Sequence, residues 1–195
     1  MRKGTVGDNL TLNENDLQQS ILNVKKIEIL TKSAAETKEI GEILALQLLS
    51  ETKFRTLRSA IAISLEGELG SGKTTFAQGF AKGLGIKENP RSPTFVIMRV
   101  YPVRSRARAS RPNGLRELAT SNGASFIHID AYRIKSKDLK ILGWEGLVNP
   151  SADGPQNIIL IEWGNRVKNI LPKTTIRIRF RHHRHQHQRL ITINQ

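Results

Sequence analysis

A chain of 195 residues with 31 Lys+Arg, 17 Asp+Glu, 15 Gly, 38% apolar residues and no cysteine is long enough to bury a core without cross-links. The missing thiols exclude a disulfide scaffold and a Cys-rich structural zinc site, and apolar runs as short as residues 158–161 fall far below the roughly 20 residues of a membrane-spanning helix. The formal net charge of +14 is local, because residues 99–116 and 173–195 contain no acid and hold 12 of the 31 basic residues, leaving 19 against 17 acids elsewhere. Those two segments suit a salt-sensitive contact with RNA or another polyanion. A solvated loop and a basic tail fit them equally, since neither interleaves base-stacking aromatics.

Residues 1–24 are polar and aperiodic and read as a loose extension, with no apolar leader core; Asp8, Glu14 and Asp16 argue against a transit peptide. A soluble, cytoplasmic protein without membrane contact is expected. Residues 25–30, KKIEIL, alternate like a strand. Ser33 and Glu36 then have capping-box spacing, and Ile40, Ile43, Leu44 and Leu48 continue as a helical stripe interrupted at Gln47. Residues 61–65, IAISL, suit a strand buried on both faces; a glycine-rich turn follows, and residues 73–84 read as a helix ended by Gly85. Further strands are predicted at 95–101, 125–129 and 157–161, and a hairpin at 174–180 and 189–193 around HHRHQHQ. Residues 102–124, rich in Arg, Ser, Ala, Gly and Pro, read as an inserted basic loop. The pattern predicts one α/β domain over 25–195, a mixed sheet flanked by helices.

The turn carries chemistry. Residues 67–74, GELGSGKT, match G-x-x-x-x-G-K-[ST]: glycines let successive amides curl toward phosphate oxygens, Lys73 adds a charge, and Thr74 offers a hydroxyl to Mg²⁺. The helix N-terminus behind the loop adds its positive end. Such a loop works with a carboxylate on a neighbouring strand, and two positions compete. Asp130 follows FIHI and Glu162 follows IILI, each at a strand's C-terminal end where ligands collect in open α/β sheets; spacing alone does not rank them.

Five ordered motifs together resemble the TsaE family (formerly YjeE) of small P-loop ATPases that take part in making threonylcarbamoyladenosine on tRNA. They are EGELGSGKTTFAQGFAKGLGI at 66–86, SPTF at 92–95, HIDAYRI at 128–134, LGWEGL at 142–147 and IEWGNRV at 161–167, within a resemblance spanning about residues 27–193. The resemblance implies a P-loop NTPase-like fold, ATP and Mg²⁺ as cofactors, and hydrolysis that is weak alone and coupled to TsaB and TsaD on tRNAs reading ANN codons. It implies Mg²⁺ ligation by Thr74 and Glu162, and a nucleotide cradle from Gly70, Ser71, Gly72, Lys73, Thr74 and Thr75. Thr37 matches a position near the nucleotide base. Thr94 lies in a segment that resembles a switch, where Pro93 holds the preceding Ser92 extended so that a hydroxyl can be presented toward the γ-phosphate, and Asp130 matches a residue that positions the attacking water or a Mg²⁺-bound water; a loop-orienting carboxylate paired with Arg133 is its alternative. Trp163 borders the pocket by resemblance or anchors the core.

His128 reads as a strand residue rather than a ligand, and His182, His183, His185 and His187 as a solvated hairpin turn rather than a metal site. Two departures from the family pattern are the N-terminal two dozen residues and the length of the 102–124 segment. A small-molecule or nucleoside kinase, with that segment as a lid, and a tRNA-binding module with secondary ATPase activity are the alternative functions.

Overall fold

The structure is a computed structural model that describes residues 26–50, 59–88, 96–103, 124–150, 156–185 and 187–194. The readings for residues 1–24, for Thr94 and for most of the 102–124 segment fall outside them. The described elements are β1 (Lys26–Thr31), α1 (Ala34–Ser50), β2 (Ile61–Glu66), α2 (Lys73–Gly83), β3 (Met98–Pro102), β4 (Ser125–Asp130), α3 (Ser136–Ile141), α4 (Trp144–Val148), β5 (Ile158–Glu162), a 3₁₀ turn (Gly164–Val167), β6 (Ile176–His182) and β7 (Arg189–Asn194).

The seven strands form one sheet in the order β1-β7-β6-β2-β5-β4-β3. Four central strands are parallel: β6 and β5 flank β2, and β4 lies beyond β5. The edges, β3 on one side and β7 with β1 on the other, are antiparallel. The mixed α/β sheet expected from the sequence is therefore present. Parallel strands must be covered on both faces, which explains why IAISL, FIHI and IILI are continuous apolar runs rather than alternating ones.

Helices α1 and α2 cover one face. Their apolar stripes pack with Ile63, Leu65, Phe126, Leu160, Ile178 and Ile193, around a chain of rings in which Phe76 meets Phe180 edge-on at 5.5 Å and Phe80 meets Phe126 at 5.8 Å. Gln47, the interruption in the stripe, is buried with it. The cap of α1 differs in one detail: Ser33 Oγ accepts the Glu36 N–H at 3.1 Å, but Glu36 reaches one residue further back, to the Lys32 N–H at 2.8 Å.

Among the described residues the second face is covered over β4 and β5 by α3 and α4 with Leu139, Trp144 and Val148, and over the neighbouring β2 by the 3₁₀ turn, where Gly164 lies against Ser64. Sequence periodicity gave no sign of α3 and α4, because helices of six and five residues are too short to show a repeat. Strand β6 alternates, turning Ile176, Ile178 and Phe180 into the α1–α2 face and leaving Arg177, Arg179 and Arg181 exposed on the other. The strand predicted at 95–101 is displaced. Ile97 has φ +66° and Met98 N–H returns to Val96 O at 2.7 Å, so a tight turn precedes β3. Among the described residues no helix is long and apolar enough to cross a membrane.

Candidate nucleotide and metal site

Two parallel strands end side by side with carboxylates: Asp130 of β4 is in register with Glu162 of β5, and Glu162 with Leu65 of β2. The chain then turns from β2 through the glycine-rich loop into α2. Gly72, at φ +101°, makes the left-handed step that starts the helix, a step glycine takes without a Cβ penalty. No side chain caps α2, so its first amides face the loop's interior, the arrangement that suits an anion.

A cavity of about 430 Å³ lies at this junction, lined by the loop from Leu69 to Thr75 and by Thr37, Asp130, Tyr132, Glu162, Trp163 and Arg189 among others. Every described residue assigned to the site from sequence lines it. Lys73 crosses the loop, its Nζ donating to Gly67 O at 2.9 Å and Glu68 O at 2.7 Å and lying 3.8 Å from the Trp163 ring centroid. Burial pushes the Lys73 ammonium below the ordinary lysine range, against the opposing pull of Glu162 and Asp130.

The geometry separates the two carboxylates that spacing left level. Thr74 Oγ1 donates to Glu162 Oε2 at 2.7 Å, so helix and strand meet through this pair. Asp130 is buried and lines the same cavity; its Oδ1 accepts the Tyr132 N–H at 2.8 Å, and its own N–H donates to Ile97 O at 2.9 Å. The first bond orients the carboxylate on the loop after β4, and the second ties the Asp130 backbone to the tight turn before β3. Hydroxyl and carboxylate oxygens are hard donors that fit Mg²⁺, which takes one or two carboxylates and keeps waters or substrate phosphates as its other ligands. Among the described residues no cluster of three or more His, Cys, Asp or Glu forms a softer or more complete cage.

Thr37 lines the cavity beside Gly72. Its hydroxyl donates to Ser33 O at 3.1 Å and bonds the Thr31 hydroxyl at 2.9 Å, which fastens α1 to β1 behind Gly72. Trp163 is the pocket residue rather than the core anchor, a role that falls to Trp144, whose Nε1–H donates to Ile170 O at 3.0 Å. Trp163 adopts φ +60°, an uncommon conformation for a large side chain, and this turn lays its indole over Lys73 and 4.9 Å from the Tyr132 ring.

Sequence reasoning missed three residues. Arg189 of β7 donates from Nη2 to Gly70 O at 3.1 Å, a contact across 119 positions. Tyr132 was visible only as part of a motif. His128 is a strand residue, as expected, but its Nε2 lies 2.9 Å from Glu162 Oε1; its one local signal was a polar ring in an otherwise apolar run. The His-rich turn stays exposed, with His183 Nδ1 3.1 Å from Gln188 Oε1.

A strand, a glycine-rich turn and an uncapped helix, with a carboxylate ending the adjacent parallel strand, define an α/β fold of the P-loop NTPase type. The fold resembles the crystal structure of Bacillus subtilis YdiB, with a TM-score of 0.56 and 26% identity, over 87% of this chain and 85% of that one. A sequence model of the family described as "Threonylcarbamoyl adenosine biosynthesis protein TsaE" matches residues 31–191, and the chain belongs to this TsaE family. Proteins named tRNA threonylcarbamoyladenosine biosynthesis protein TsaE are similar in Streptomyces coelicolor, at 31% identity over 64% of this chain and 71% of the relative, and in Treponema pallidum, at 30% over 76% and 86%.

Proposed function

We propose that the protein takes part in threonylcarbamoyladenosine biosynthesis on tRNA as a cytoplasmic, Mg²⁺-dependent ATPase acting with TsaB and TsaD. Family membership supports the pathway. The observation that carries the ATPase reading is the Thr74–Glu162 hydrogen bond at 2.7 Å beside Lys73 and the loop amides, which brings metal-type and phosphate-type donors into one cavity.

The mechanism follows from this donor set. The amides of residues 67–75 and Lys73 hold the β- and γ-phosphates; Thr74 and Glu162 would hold Mg²⁺, which would supply neutralising charge for the phosphate oxygens. Asp130 orients a water in line with the γ-phosphorus. As the water oxygen bonds to phosphorus, the bond to the bridging oxygen breaks, ADP leaves and the water proton passes to Asp130 or to the product phosphate. Phosphoryl transfer asks for positioning and charge more than for covalent help. By the family resemblance Thr94, which lies outside the described residues, is assigned the role of γ-phosphate sensor, and Thr37 that of bounding the base end.

Glu162→Ala is expected to remove the Mg²⁺ dependence of nucleotide binding. Retention of a wild-type Mg²⁺ response in that variant rules out Glu162 as a ligand. Lys73 gives a second test. Phosphate prefers the charged ammonium, and the free protein loses that charge at a lower pH than an ordinary lysine does. Nucleotide affinity should therefore fall on the alkaline side before the ordinary lysine range is reached, with protons taken up on binding. An affinity that stays flat up to that range contradicts this account.

A direct RNA contact is a second reading, favoured by Arg177, Arg179 and Arg181, which alternate along β6 as exposed residues among the described part of the chain. Arg179 is engaged with Glu66 at 3.3 Å, so Arg177 and Arg181 are the pair to neutralise. The slope of log affinity against log salt for tRNA should become shallower by roughly 1 for each phosphate that an arginine no longer neutralises. An unchanged slope assigns these arginines to solvation alone.

A further inference from the structure

Glu162 has two carboxylate oxygens with different tasks. Oε2 accepts from the Thr74 hydroxyl at 2.7 Å, at the cavity wall. Oε1 points away from that partner, and His128 Nε2 lies 2.9 Å from it, with both side chains almost wholly buried. A carboxylate oxygen carries no hydrogen to give, so Nε2 bears the proton of this bond. Nδ1 is buried and without a hydrogen-bond partner among the described residues, which suits a bare lone pair far better than a second N–H.

The ring is also locked in orientation. Phe126, two residues earlier on the same face of β4, stacks on it at 6.1 Å with 18° between planes. His128 and Asp130 share that face by strand alternation, and Glu162 is the register partner of Asp130 on β5. The imidazole is therefore seated against the core ring of Phe126 and bonded to Glu162.

We propose that His128 is a positioning residue for the metal-side carboxylate: by holding Glu162 Oε1 it turns Oε2 toward Thr74, so that Mg²⁺ meets a preoriented acceptor. The inference rests on the assignment of Glu162 to Mg²⁺. Without the imidazole, Oε1 is a buried charged oxygen lacking a donor, and the carboxylate must rotate or leave the site to find one. Partners that orient ligating carboxylates are worth about 10–100-fold in metal affinity or activity.

The test uses fluorescent mant-ATP bound to the intact protein, in EDTA and across a Mg²⁺ titration. His128→Asn puts its amide too close to the backbone to reach Glu162, and His128→Leu removes the donor. Both are expected to raise the Mg²⁺ midpoint about tenfold while the EDTA affinity stays within about twofold of wild type. His128→Gln, whose amide nitrogen reaches as far as Nε2, is expected to recover most of the loss. Wild-type midpoints in the Asn or Leu variant overturn the proposal, as does a midpoint raised equally in all three variants, which marks a packing role. If Asn and Leu variants fail to fold, the Gln variant decides alone: a near-normal midpoint supports the proposal and a tenfold rise overturns it. Nitrogen-15 NMR of wild-type His128 is a further check that needs no substitution, with Nδ1–H in place of Nε2–H overturning it. A wild-type protein with no Mg²⁺ response, or a Glu162→Ala protein with a normal one, refutes the metal assignment instead and is distinguishable from each of these results.

Discussion

The Lys73→Ala protein is expected to hydrolyse ATP on the order of 10²–10³-fold more slowly than wild type, the loss typical of removing one preorganised donor from developing charge. The reason lies in the position of the ammonium. It is nearly buried, crossing the loop to Gly67 O and Glu68 O and roofed by the Trp163 ring. Among the described residues no other lysine lines the cavity, and Arg189, the other cation there, is held on Gly70 O rather than across the loop. Far from water its charge acts at a low effective dielectric. The fold is expected to survive, since the alanine removes a charge whose burial is itself unfavourable. Single-turnover hydrolysis, with a melting curve beside it, measures both effects. Undiminished turnover by a folded Lys73→Ala protein removes the loop from the mechanism.

Gly79→Ala is expected to have a large effect on stability, about 1–3 kcal/mol or more. Helices α1 and α2 approach backbone to backbone. A Cβ at Gly79 falls inside the van der Waals envelope of Lys38 O and within 2.6 Å of Lys38 C, and one at Gly41 meets Phe80 N at 2.9 Å. These neighbours are main chain, so the contact is relieved only by moving one helix off the other. The shift also reaches the site. Thr37 precedes Lys38 on α1 and its methyl lies 3.6 Å from the Cβ position of Gly72, so nucleotide affinity should fall with stability. Gly146→Ala is the control, an exposed helical glycine with open space around its Cβ position, expected to change stability by less than about 1 kcal/mol. Equal melting temperatures for the two variants contradict the close-packing account.

The residues that were legible in sequence are those whose signal is local. The glycine-lysine-threonine loop, the buried runs before Glu66, Asp130 and Glu162, and the Ser33 cap each lie within a few residues of the feature they specify. Contacts made across the sheet were not legible. Thr74 meets Glu162 over 88 positions and His128 meets it over 34, and only strand order brings those pairs together. The choice between Asp130 and Glu162 needed the same information, because both end apolar strands of equal character. Arg189 shows the limit most clearly, since it reads as part of a basic tail and lies against Gly70.

The central claim is a Mg²⁺-dependent ATPase coupled to partner proteins. ATP hydrolysis measured with the protein alone, and then with TsaB, TsaD and tRNA from the same source, tests it most directly. The account predicts slow Mg²⁺-dependent turnover alone, stimulation by the complex, and loss of both in Lys73→Ala and Glu162→Ala. Hydrolysis that proceeds but ignores the complex contradicts the coupling, and a protein that neither binds nor hydrolyses ATP with Mg²⁺ contradicts the site.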